Sequence, residues 1–78
     1  MKITLEFTNS TEETQKWESF RECKNTLVCW LNDFGYEVKD TVLNDDFTVT
    51  ITVLKPVPRS VLVSMLYDIC LLKLVSIV

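Results

Sequence analysis

The chain has 78 residues, 47% of them hydrophobic and 24% charged, and its 11 acidic and 8 basic side chains leave a net charge of −3. A chain of this length buries about 60–65% of the surface it exposes when unfolded, which allows one core and one domain, residues 1–78, and excludes a second. Lys and Arg are scattered singly, so no basic face offers phosphate neutralisation to a nucleic acid, and −3 is too modest for an acidic mimic of DNA.

Lys2 to Thr8, KITLEFT, alternates strictly, with Ile3, Leu5 and Phe7 on one side, and predicts a half-buried strand. Ser10-Thr11-Glu12-Glu13 follows as a capping box, in which the Ser10 hydroxyl accepts from the Glu13 amide and the Glu13 carboxylate reaches back to the Ser10 amide. The same residues overlap a glycosylation acceptor pattern, Asn9-Ser10-Thr11, but the helix start is the better use of them. Phe20, Cys23, Leu27, Trp30, Leu31 and Phe34 then fall in one stripe on a helical wheel, with Trp17 and Val28 on its flank. Gly35 is the only glycine and follows the last apolar residue of that stripe, as a left-handed C-terminal cap does. Asp33-Phe34-Gly35 also spells the magnesium-binding triplet of protein kinases, yet a histidine-free chain of this length has none of the other kinase elements.

Tyr36 to Leu43 and Phe47 to Leu54 alternate again around the turn residues Asn44-Asp45-Asp46, predicting a hairpin. Pro56-Val57-Pro58 ends the second of these strands, and Pro58 suits the first turn of a second helix. Arg59 to Leu71 has a narrow polar side of Ser60, Ser64, Tyr67 and Asp68 and a broad apolar face of Val61, Leu62, Met65, Leu66, Ile69 and Leu72. Lys73 to Val78, KLVSIV, reads as a last strand. Ser60 to Val78 is nearly long enough for a membrane span, but Asp68 and Lys73 near its middle would cost several kcal/mol in lipid, and no membrane is expected.

Strand, helix, strand, strand, helix, strand resembles the ferredoxin-like split βαβ architecture over the whole chain: an α+β fold of order β-α-β-β-α-β. A four-stranded antiparallel sheet in the order 4-1-3-2, with both helices on one face, is expected. The alternation assigns Thr4, Glu6, Glu37, Lys39, Thr41, Thr48, Thr50 and Thr52 to the open sheet face. RNA-binding members of this architecture carry aromatic residues there, whereas this face is mostly threonine.

Chemistry is hard to place on this chain. Cys23, Cys29 and Cys70 are three cysteines without a histidine, and Cys23 and Cys29 lie about 9 Å apart along one helix, so neither a disulfide nor a tetrahedral metal site is expected. Cys23 and Cys70 are expected as small core residues, with Cys29 exposed. The odd count and the lack of an apolar leader lead to an expectation of free thiols in a reducing, cytoplasmic compartment. The loop Thr8-Asn9-Ser10 has no glycine to cradle phosphate, Arg21 and Arg59 do not converge, and Asp45-Asp46 belongs to a solvated turn. No catalytic residue and no cofactor is assigned.

The expectation is therefore a small non-enzymatic interaction protein that blocks or bridges a larger one, as inhibitors, adaptors and phage-encoded anti-defence proteins do. A small-molecule-sensing regulatory domain of the same fold is the alternative. Trp17, Trp30 and Tyr36 are candidate anchors, because large amphipathic rings dominate interface energetics. Leu74, Val75 and Ile77 are candidates because the last strand is apolar on both phases and lies at a sheet edge, open to another protein or to a second copy in a homodimer.

Overall fold

The computed structural model describes residues 1–8, 13–69 and 71–78. Its elements are β1 (Lys2–Phe7), α1 (Glu13–Asp33), β2 (Val38–Leu43), β3 (Thr48–Val53), α2 (Arg59–Ile69) and β4 (Leu72–Ile77). They form one antiparallel sheet in the order β2-β3-β1-β4, so the chain has the ferredoxin-like α+β fold that its alternation patterns anticipate. Ile3, Leu5 and Phe7 of β1 and Val49, Ile51 and Val53 of β3 are buried, and with Phe20, Leu27 and Leu31 of α1 and Leu62, Met65 and Leu66 of α2 they make one core.

Pairing across the central strands places Thr4 opposite Thr50 and Glu6 opposite Thr48 on the open face. The two edge strands depart from simple alternation. Val38 pairs with Val53 and Asp40 with Thr52, so Lys39 is an extra, bulged residue. Beyond it the phase reverses: Thr41 stands opposite the buried Ile51, and Asp40 and Val42, opposite Thr52 and Thr50, face the open side. The expected outward placement of Thr41 is therefore corrected. At the other edge Leu5 pairs with Leu74 but Thr4 with Ser76, which makes Val75 a second bulge. Leu72, Leu74 and Ile77 then share the core side, and β4 is not apolar on both phases, as simple alternation implies.

The end of α1 follows its glycine. Gly35 takes φ +86°, its amide donates to the Asn32 carbonyl at 3.1 Å, and the Tyr36 amide donates to the Leu31 carbonyl at 2.9 Å. These two bonds are the Schellman pattern, and they satisfy carbonyls that a helix end otherwise leaves open. The Asn32 side chain extends the device by accepting from the Val38 amide at 2.9 Å, which ties the helix end to the start of β2. The capping box at Ser10 to Glu13, and Cys70, lie outside the described residues or side chains.

The β2–β3 hairpin closes through a bond from the Phe47 amide to the Asn44 carbonyl at 3.2 Å, and the Asn44 amide donates to the Thr48 carbonyl at 2.8 Å. Phe47 has φ +61°, the position that three-residue hairpin loops usually give to Gly or Asn. A bulky aromatic ring there is strained, and packing holds it: the ring lies 4.4 Å from that of Trp17 and 6.0 Å from that of Phe20, with the Lys16 ammonium 4.0 Å from its centroid.

One member of the α1 stripe leaves the core. Phe34 is 68% exposed, although its wheel position matches the fully buried Phe20, Leu27 and Leu31. Phe34 lies one residue past α1, between Asp33 and the Gly35 cap, whereas Leu31 in the last turn of the helix is still fully buried, so the stripe leaves its cover only at the cap.

Candidate functional site

The end of α1 does not stand in empty solvent. Trp30 and Asp33 of α1, with Phe34 just beyond it, face Ser60, Val61, Ser64, Met65 and Asp68 of α2 across a groove of about 530 Å³. Trp30 and Val61 are half-buried, Met65 forms the floor and Phe34 stands out at the rim. Helical spacing builds both walls: Trp30 and Phe34 are one turn apart, as are Val61 and Met65, and Ser60, Ser64 and Asp68 follow the same rule.

The charges in the groove are both negative. Asp33 and Asp68 are exposed, and each occupies the last turn of its helix, a turn that holds no basic residue. Helix dipoles present their negative ends at that position, so the carboxylates add to the local field instead of offsetting it. Asp33 receives the Cys29 thiol at 3.9 Å, and no ion pair engages either carboxylate among the described residues.

The residues singled out from sequence are dispersed. Trp30 lines the groove. Trp17 belongs to the aromatic cluster with Phe20 and Phe47, its ring 5.9 Å from that of Phe20. Tyr36 is half-buried and packed against the core just beyond the α1 cap. Leu74 and Ile77 are half-buried against the core from β4, and Val75 is the exposed bulge. Asp33, Phe34, Val61, Met65 and Asp68 carry the groove and were not foreseen as a group. The signal that could have found them is an acid in the last turn of each helix, with no base to compensate it.

Other titratable groups are locally explained. The Asp46 carboxylate accepts from the Thr48 hydroxyl at 2.6 Å and from its amide at 3.2 Å, which lowers its pKa and makes the pair Asp45-Asp46 part of a hairpin turn. Burial, and then the neighbouring Glu22, push the Cys23 thiol up, away from thiolate character. Cys23 is half-buried, short of a full core position, and Cys29 is exposed as expected. Among the described residues no group of three or more metal-ligating side chains occurs, and no helix is long and apolar enough to cross a membrane. No family model, curated protein or solved structure matches the chain.

Proposed function

We propose that the chain is a non-enzymatic protein-interaction module that works by occupying a surface of a larger protein, blocking or bridging it, and that the α1–α2 groove is the surface it uses. The observation that carries this reading is Phe34, a ring 68% exposed at the edge of an apolar groove. A recess for a small molecule encloses its ligand on most sides, whereas this groove has two walls, and one of them is a protruding ring. Protruding aromatic rings beside an apolar trough are what anchors at protein interfaces look like. The edge strand β4 supports docking less well, because a bulge and Lys73 are both devices by which sheets discourage pairing at an edge.

The test is a photoreactive phenylalanine analogue placed at position 34 in the native host, with position 42 on the open sheet face as the comparison. A discrete cross-linked protein from position 34 and none from position 42 is expected. Adducts only from position 42, or from neither, would refute the reading.

A further inference from the structure

The chemistry of the partner can be read from the same groove, an inference that rests on the interaction reading above. We infer that the groove receives a short basic amphipathic helix of another protein, with apolar side chains set between Trp30, Phe34, Val61 and Met65, and Lys or Arg placed against Asp33 and Asp68.

The argument is one of charge complementarity. Both rim carboxylates sit where the helix dipole already points its negative end, which works against the stability of each helix. Because α1 and α2 run antiparallel, Asp33 and Asp68 stand at different points along the groove, and successive basic residues of a docked helix would each meet a full negative charge. An apolar groove between two helices is a setting in which amphipathic helices dock. Trp30, Phe34, Val61 and Met65 supply its apolar lining.

The other occupants fit less well. A second copy of this chain brings its own Asp33 and Asp68 to the same place, so the face repels itself. An anionic membrane or a nucleic acid meets two carboxylates of like sign. A cationic segment of protein is the partner class that satisfies the apolar and the charged parts together.

The experiment uses two synthetic helical peptides of identical leucine pattern, one with lysine and one with glutamate at all polar positions, titrated into ¹⁵N-labelled protein. The indole N–H signals of Trp30 and Trp17 are told apart with Trp17→Phe. The lysine peptide is expected to move the Trp30 indole and leave that of Trp17 in place, while the glutamate peptide moves neither. Asp33→Asn with Asp68→Asn is expected to weaken the lysine peptide roughly five- to tenfold, as the loss of two exposed charge pairs does. Glu6→Gln with Glu37→Gln, which changes the net charge of −3 by the same two units, is expected to weaken it less than about twofold.

Equal binding of the two peptides, equal weakening by the two double variants, or an unmoved Trp30 indole would each overturn the inference. If neither peptide binds, the basic helix is excluded as the occupant. Cross-linking at position 34 then still decides, independently, whether the groove meets a protein at all.

Discussion

Phe47 offers a prediction in which the sign, more than the size, carries the argument. An aromatic residue at φ +61° costs on the order of 1–3 kcal/mol in backbone strain, and the cost is met by stacking on Trp17 and Phe20 and by the Lys16 ammonium. Phe47→Ala removes the ring and leaves a β-carbon at the same φ. A fully buried Phe→Ala costs about 3–5 kcal/mol, and Phe47 is only half-buried, so about 2–3 kcal/mol is expected once the cation–π contact is included. Phe47→Gly loses the same ring but releases the left-handed strain, worth about 1 kcal/mol. Its cost should therefore be about 1–2 kcal/mol. Glycine should exceed alanine in stability here, the reverse of the usual order at the edge of a strand. Urea unfolding of the three proteins, followed by tryptophan fluorescence, measures both differences. If alanine equals or exceeds glycine, Phe47 is not strained in the way its φ implies, and the account of the hairpin is wrong.

Other predictions concern the helices and the edges. Gly35→Ala should cost about 1–2 kcal/mol from the positive φ alone, because a β-carbon there meets nothing within 4 Å; a neutral result in chemical denaturation would contradict the cap geometry. Asp68→Asn should raise stability by about 0.3–1 kcal/mol by relieving the clash with the α2 dipole, seen as a melting point about 1–8 °C higher, and a lower melting point would show that Asp68 stabilises the helix instead. The Asp46 carboxylate, held by the Thr48 hydroxyl, has a folded pKa below its ordinary value of 3.8, so its contribution is complete above that pH and fades as the pH falls through the lowered value. Acid titration of stability should show this component in the wild type and lose it in Asp46→Asn. Val75→Lys should change stability by no more than about 0.5 kcal/mol, since the residue is an exposed bulge; a large loss, or a change of mass in solution, would restore β4 as a pairing edge.

Much of the architecture was legible in the sequence because its signals are local. Strict alternation in KITLEF and TVTITV marks the two central strands, and a lone glycine after an apolar stripe marks the end of α1. The edge strands were harder. A bulge at Lys39 or Val75 leaves no trace in composition, since neither position carries the glycine that often marks one, and a single extra residue reverses every assignment beyond it. Phe47 packs against the core, but nothing in an Asn-Asp-Asp-Phe turn announces that the aromatic residue takes the left-handed conformation. Periodicity placed Phe34 in the core because a wheel records angle alone. It does not show that the packed part of the stripe stops at Leu31 and leaves Phe34 outside at the cap. The groove was missed for a related reason: Asp33 and Asp68 belong to separate helices, and their lining one groove depends on how the helices pack.

The exposed ring at the end of α1 needs a reason. The Schellman cap is completed by Leu31 and Tyr36, the residues whose apolar contact ordinarily accompanies that motif, and both are packed in or against the core. Phe34 is therefore not required for stopping the helix, and at 68% exposure it contributes little to the core. A single exposed apolar residue is ordinary and calls for no explanation. Here, however, three features that each detract from the stability of the isolated chain meet in one groove: an exposed ring, a carboxylate against the dipole of α1 and a second against that of α2. Local rules broken together at one place, while the surrounding fold obeys them, are the mark of a site held for function. A cationic helix docked there would cover the ring and neutralise both charges at once, so all three features become favourable only in a complex.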